Sequence, residues 1–559
     1  MKRQILFSIL LLAALSLSAL AQTKTKGTIT GRVVNDEGTG ISGITVRMLP
    51  AGPTQFGQAR STSTDDEGNF RFNDLPARAY TAQVSGGRAY VPAPKSAAER
   101  AEPRRVRIGE SLTLNMIRGG VITGRVTNAA GEGLIAMPLA AILVKDADGN
   151  PVSAQSQTSQ TGTDDRGVYR FYGLPPGTYL VLANYGNPYW DSQVSLYDNE
   201  APTYYPSSTR DTAVEVQVTS GGEINGVDIR YRGERGHAIS GKLVGAKAAA
   251  NVELLNVSTQ TIIATRYVPG GGEAGFDFFG VTDGDYELIA REDSADAPAA
   301  SAPRRIAVRS ADMTGLDLRM LPLGSIAGRI VIETSQTACE TPGRTVLEEI
   351  IVAARPEEKA RGEQESASKP SLAEGAVSDK GEFEIRKLHA IRYRLGLNLS
   401  NENLFVKSLS LPAAKPATDI ARSGVLLKQG EKIGGVNVTL AEGAASLRGK
   451  LSAAKEGVRL PSRLRIHLIP AEPTAAEDLL RYSEKLAAGD GSFAFANLAP
   501  GKYLLLAKAV AENEPVDRSA SPIAWDAAER LKLRKEAEAA KNEIELKACQ
   551  RIKDHALRW

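Results

Sequence analysis

The chain has 559 residues, 24% of them charged and 42% hydrophobic, the make-up of folded protein long enough for several separate cores. Lys plus Arg number 68 against 65 Asp plus Glu. Balance this close argues against a nucleic-acid binder, which carries a basic face and a high pI.

The N-terminus, MKRQILFSILLLAALSLSALAQT, has the three parts of a secretory signal peptide. Lys2 and Arg3 are the positive start, Ile5 to Leu20 is mostly apolar, and Ala19-Leu20-Ala21 is a small-x-small cut site before Gln22. Residues 1–21 are therefore expected to be removed, leaving a protein exported to the periplasm or the medium. No Cys follows the cut, so a lipid anchor is not indicated. No later segment has the unbroken apolar length of a membrane helix, so no transmembrane span is expected in the mature chain.

Five copies of one pattern follow. The first contains TDDEGNFRFNDLPARAY at Thr64–Tyr80, the second TDDRGVYRFYGLPPGTY from Thr163 and the third the weaker EAGFDFFGVTDGDY from Glu273. The fourth has SDKGEFEIRKLHAIRY from Ser378 and the fifth GDGSFAFANLAPGKY from Gly489. In each, an aromatic residue precedes a Tyr by ten positions: Phe70 and Tyr80, Tyr169 and Tyr179, Phe276 and Tyr286, Phe383 and Tyr393, Phe493 and Tyr503. The adjacent acids do not persist, falling to the single Asp379 and Asp490 and disappearing in the third copy. A metal site keeps its ligands in number and position. What does persist is Gly, at 68, 167, 381 and 491 and beside the slot at 275, as a tight turn requires. Each copy opens alike, with GTITGRV at 27, GVITGRV at 120, HAISGKL at 237, GSIAGRI at 324 and ASLRGKL at 445. Each closes on an alternating apolar segment, such as Ile433-x-x-Val436-x-Val438-x-Leu440.

These frames divide the chain into 26–118, 119–235, 236–322, 323–441 and 442–559. Each unit is a set of short alternating strands between turn signals, which predicts an antiparallel β-sandwich. The expected fold class is all-β, a tandem array of about five sandwiches, with nearly absent linkers that suggest a stiff rod or arc. Ser521 to Ala540 reads as a helical insertion before a C-terminal hairpin, and Thr474 to Ala488 as a weaker helical segment. Pro356 to Gly375 is polar and reads as a loop.

The openings, the DxGxF turn, the Leu-Pro-x-Gly-x-Tyr turn and the closing strand together resemble carboxypeptidase regulatory-like domains, transthyretin-like β-sandwich repeats of exported bacterial proteins. The resemblance is clearest in units one, two and five and weakest in unit three. It implies a sandwich of seven or so strands and implies no activity.

Candidate chemistry is sparse. The four His stand in HAIS, HAIR, HLIP and HALR, so none supplies the His-x-x-Glu of a zinc peptidase. There is no nucleophile elbow, phosphate loop or dinucleotide fingerprint, and the expectation is a non-enzyme without cofactors. Asp146, Asp148 and Asn150 have the spacing that opens a calcium loop, but the distal Glu is missing and Asp-Gly is itself a hairpin signal, so a turn is favoured. Cys339 and Cys549 are an even count in an oxidising compartment, and a bridge would staple units four and five; two buried thiols are the alternative. The long connection of unit two holds Tyr189, Trp190, Tyr197, Tyr204 and Tyr205, which either stack on a ligand or cover the end of their own sandwich. The leading reading is a scaffold that presents loops to an envelope or extracellular protein. The alternative is a carbohydrate-binding protein that uses these aromatics on a polysaccharide.

Overall fold

Alternation of apolar and polar residues makes a strand with one buried face, and each copy of the pattern supplies several. Asn69–Pro76 shows the result: Phe70, Phe72 and Leu75 are buried while Asn69, Arg71 and Asn73 face solvent. The computed structural model describes residues 26–559 except 53–58, 86–88, 96–98, 100–103, 151, 153–157, 186–196, 198, 259–260, 272–273, 293, 295–296, 334–338, 341–344, 358–371, 413–417, 454–459, 462 and 511–521. The signal peptide and most of the Pro356–Gly375 loop lie outside the described residues.

The protein is all-β, an array of two-layered sandwiches. Five large hydrophobic clusters occur among the described residues, spanning Ile29–Met116, Ile122–Tyr231, Ile239–Met320, Ile326–Leu440 and Ala445–Leu557. The segments around them are called the first to fifth modules below. In the fourth, one sheet runs Glu382–Leu388, Gly324–Glu333, Lys432–Glu442, Leu404–Leu411, Thr418–Asp419. The facing sheet runs Ala373–Ala376, Ile351–Pro356, Arg392–Asn398, Val425–Leu426.

The sheets are not purely antiparallel. Each opening strand pairs antiparallel with the aromatic strand and parallel with the closing strand, as Gly324–Glu333 does with Glu382–Leu388 and with Lys432–Glu442. A closing strand that follows a crossover from the other sheet returns in the direction of the first, which alternation cannot reveal. The Gly of every opening sits at a point of close approach between these strands. Gly31, Gly124, Gly241, Gly328 and Gly449 lie opposite Phe70, Tyr169, Phe276, Phe383 and Phe493. A Cβ on Gly31, Gly241, Gly328 or Gly449 would strike both that ring and a carbonyl of the closing strand, and one on Gly124 would strike Val227 O and press on the Tyr169 hydroxyl. The basic residue after the Gly also has a task in two modules, since Arg32 and Arg125 donate from Nε to Glu67 O and Arg166 O at 2.8 Å and hold the turn.

The helical readings are adjusted at both places. The insertion is a helix over Ala527–Ala540, after a short 3-10 turn at Ile523–Trp525. Asp526 caps it by accepting from Ala528 N and Glu529 N, and Leu533 and Ala537 pack on Ile469 and Leu504. Thr474–Ala488 is not a helix: it forms two 3-10 turns and the strand Ser483–Leu486, which pairs with Leu464–Pro470. Strand pairing outweighs weak helix propensity there. The last two strands are not partners of each other. Glu543–Leu546 joins Gly501–Ala509, whereas Arg551–Arg558 crosses to the other sheet beside Ala445–Ser452. In the third module Gly275 is not in a turn but inside the strand Ala274–Val281, opposite Lys242.

Nor is the array a simple rod. One residue separates Ser111–Arg118 from Gly120–Thr127, and one separates Met313–Pro322 from Gly324–Glu333. Such junctions leave little freedom, and the turn at each brings the first module against the fourth. Arg105 donates from Nη2 to both oxygens of Glu374 at 2.6 and 2.7 Å, and Arg107 Nη2 donates to Leu399 O at 3.2 Å. Ala51, Ala79 and Ile351 form a small apolar cluster across the same contact. Between the fourth and fifth modules, Asn497 Nδ2 donates to Asn401 O and Leu404 O, and the Trp525 ring lies 5.5 and 5.3 Å from the guanidiniums of Arg355 and Arg394.

Candidate functional site

The recurring polar residues act on their own turns. Asp65 Oδ1 accepts from Glu67 N and Asn69 N, and Asp164 Oδ1 from Arg166 N and Val168 N. Asp490 accepts from Ser492 N, and Ser378 Oγ replaces the acid in the fourth module, accepting from Lys380 N and Glu382 N. The side chain closes its own turn over a Gly at positive φ, +82° at Gly68 and +83° at Gly491. The Thr before the acids carries a second lock. Thr163 Oγ1 donates to Leu134 O at 2.6 Å and accepts from Met137 N at 2.9 Å, and Thr64 does the same with Ile41 O and Ile44 N.

The recurring Tyr is equally structural. Tyr80, Tyr179, Tyr286 and Tyr503 each donate to the carbonyl four residues back, on Pro76, Pro175, Thr282 and Ala499, at 2.6 to 2.9 Å. Tyr393 instead accepts from His389 N at 3.0 Å. All five rings are buried, and burial pushes the Tyr80 hydroxyl up to about 12. These corners pin each second turn to its sandwich.

Asp146 Oδ1 is taken up by Asp148 N, Asn150 N and Asn150 Nδ2 at 2.9 to 3.2 Å, so its carboxylate faces into its own turn, with Gly149 at φ +80°. Cys339 and Cys549 form a disulfide, with Cα atoms 5.5 Å apart, that ties the fourth module to the fifth. His555 sits half-buried on the final strand, and burial lowers its pKa.

Of the unit-two aromatics, Tyr189 and Trp190 lie outside the described residues. Tyr197 and Tyr205 pack against the second module's core, and the Tyr197 ring meets Tyr231 edge-on at 5.9 Å. Asn184 holds this connection by donating to Tyr197 O and Glu200 O at 2.9 and 2.7 Å. Tyr204 is turned elsewhere. It lines a cleft of about 940 Å³ between the second and third modules, and desolvation there pushes its hydroxyl up to about 12.

The volume of this cleft lies near the upper end for small-ligand sites, about 300–1,000 Å³. On one side the strand Gly177–Ala183 is buried on both faces: Tyr179, Val181 and Ala183 serve the module's core, while Leu180 and Leu182 line the cleft. On the other side stand Leu254, Phe279 and Tyr286. Polar groups rim both walls. His237 Nε2 lies 3.2 Å from Asp283 Oδ1, and the amide of Ser310 holds the Asp283 carboxyl below its ordinary range. Arg309 pairs with Asp285 at 2.7 Å. Arg210, Asp211 and Arg235 complete the rim. The sequence flagged Tyr204 for aromatic clustering alone. The other lining residues are spread from Ile142 to Tyr286, and no local signal joins them.

No curated protein matches the sequence. Among solved structures the chain is similar to the Bacillus anthracis TIE protein, at 14% identity over 53% of this chain and 51% of that one, TM-score 0.14; it spans about half of that protein's length. It is also similar to a minor pilin of Streptococcus agalactiae, at 14% identity over 36% of this chain and 93% of that one, TM-score 0.19. A third is the major pilin subunit of Bacillus cereus, at 9% identity over 53% of this chain and 99% of that one, TM-score 0.14. Residues 28–108 match the carboxypeptidase regulatory-like domain family, so the chain carries a carboxypeptidase regulatory-like domain as its first module.

Proposed function

We propose that the protein is an exported, non-catalytic scaffold of five sandwich domains, divided at 26–118, 119–235, 236–322, 323–441 and 442–559, that presents its inter-domain surface to an envelope or extracellular partner. The observation that carries this reading is the contact between the first and fourth modules, where Arg105 and Glu374 meet with side chains only 9% and 15% exposed. A scaffold must hold its binding surfaces in one arrangement, and that ion pair, together with the Cys339–Cys549 link, holds this array in a folded-back shape. The acids, hydroxyls and tyrosines that recur in the modules act on turns and corners, which supports structure rather than chemistry as their purpose. Export rests on the Lys2–Ala21 leader and suits a chain with a disulfide. No helix among the described residues is long and apolar enough to cross a membrane.

Expression with its own leader, followed by cell fractionation and N-terminal sequencing, tests the reading. The expected product begins at Gln22 outside the cytoplasm. A cytoplasmic product that begins at Met1 refutes it. A second reading, polysaccharide binding, is favoured by the position of Tyr204 in the cleft.

A further inference from the structure

The second-to-third-module cleft sets a small apolar cluster of the second module, Ala140, Leu182 and Tyr185 with Tyr204 against it, across from the third module. A strand of an isolated sandwich turns polar residues outward, but Leu180 and Leu182 face the cleft and are only 7% and 2% exposed. Opposite them, Phe279 is 45% exposed, an uncommon placement for a large ring on a strand. Tyr204 is half-buried, and its hydroxyl has no hydrogen-bond partner among the described residues. Arg210 lies close enough to Tyr204 and Tyr286 to influence both hydroxyls, and among the described residues its guanidinium has no ion-pair partner. The same holds for the side chains of Arg235 and Asp211.

The cleft therefore offers apolar and aromatic surface beside donors and an acceptor without ion-pair partners among the described residues. Charge narrows the ligand class. A polyanion would meet Asp211, Asp283 and Glu200, and a polycation would meet Arg210 and Arg235. Like charges brought together in a cleft are costly. A hydroxyl group both donates and accepts, so a neutral polyol satisfies guanidinium and carboxylate alike. A pyranose ring adds an apolar face that lies against aromatic rings. At about 940 Å³ the cleft has room for several sugar units rather than one. The third-module wall is already braced by the His237–Asp283 and Arg309–Asp285 contacts, which lowers the ordering cost of binding.

We propose that this cleft binds a neutral oligosaccharide, with sugar faces against Tyr204 and Phe279 and hydroxyls bridging Arg210, Arg235 and Asp211. The proposal rests on the polysaccharide-binding reading and adds to it a site and a ligand class. The test is calorimetric titration of residues 22–559 with a soluble β-glucan, a xylan, a galactomannan and an α-glucan, with polygalacturonate as the charged comparison. At least one neutral glycan is expected to bind, with Tyr204→Ala and Arg210→Ala each weakening it tenfold or more and Tyr204→Phe retaining most of the affinity. Arg210 is half-buried and belongs to no hydrophobic cluster, so its variant remains informative if Tyr204→Ala misfolds. Neutral-glycan binding that both variants leave untouched overturns the site while polysaccharide binding stands. Preference for polygalacturonate overturns the ligand class. No binding to any of the five glycans overturns the site and the polysaccharide reading together.

Discussion

Gly241→Ala is expected to destabilise the third module far more than the addition of one methyl group suggests. The new Cβ would stand 2.6 Å from Phe276 Cζ and 2.7 Å from the carbonyl carbon of Leu316, with Leu316 O closer still. Real Cβ atoms essentially never approach that closely. The ring can tilt, but Leu316 belongs to the closing strand that pairs in parallel with the opening strand, and its carbonyl can yield only by moving the strand. Overpacking of this kind costs about 1–3 kcal/mol, and a backbone obstacle puts the cost near the upper end, about 2–3 kcal/mol. Because a chain with several cores does not unfold in one step, the readout must be local. Hydrogen exchange of the amides in His237–Val244 and Met313–Pro322, measured in the whole protein, is expected to quicken roughly 30- to 150-fold. Gly275→Ala in the neighbouring strand is the control. Its Cβ would meet nothing nearer than Gly241 O at 3.6 Å, so exchange is expected to stay the same or slow slightly. Equal effects from the two substitutions would refute the close-approach argument. Full rescue of Gly241→Ala by Phe276→Leu would show that the ring, not the strand carbonyl, sets the limit.

Thr163→Val keeps shape but strips the partners of Leu134 O and Met137 N, at an expected cost of about 2–3 kcal/mol that Thr163→Ser largely restores, read by exchange at residues 134–137. Glu374→Ala leaves Arg105 in a mostly buried contact without its carboxylate, expected to cost about 3 kcal/mol; small-angle scattering should show a larger radius of gyration, and an unchanged one would mean the other contacts suffice. The fifth module should lose stability in acid. Burial alone would raise the Glu484 pKa, but His467 at 3.4 Å, Arg465 and the amide of Ile523 overcome it and leave it lowered. A folded pKa below the unfolded one means the unfolded chain binds the proton first. The contribution is therefore complete above about pH 4.5, the unperturbed range, and is lost as pH falls through the folded value, and Glu484→Gln should flatten that acid limb of the melting curve.

Much of this was legible from one sequence because the modules repeat. Two adjacent acids could have been a metal site or a turn, and the loss of one acid from the later copies favoured the turn that Asp65, Asp164 and Asp490 close. The ten-residue interval from aromatic to Tyr likewise marked the buried rings and their corners. Repetition was uninformative where a residue is peculiar to one module. Nothing recurrent distinguishes Arg210 or Phe279, and the aromatic run of unit two supplied Tyr204 to the cleft but left Tyr197 and Tyr205 on their own core.

The sequence alone determined most of the local layers: strand faces, the turns over Gly68, Gly167, Gly381 and Gly491, the helix near the C-terminus and the all-β class. These follow from period, turn chemistry and capping, all of which act over a few residues. Tertiary structure alone decided the direction in which closing strands return, the partners of the last two strands and the way successive modules turn. Those outcomes depend on contacts between residues that lie far apart in the chain. Arg105 and Glu374 belong to different modules, and only the accumulated angles of the short junctions between them bring a guanidinium and a carboxylate to 2.6 Å.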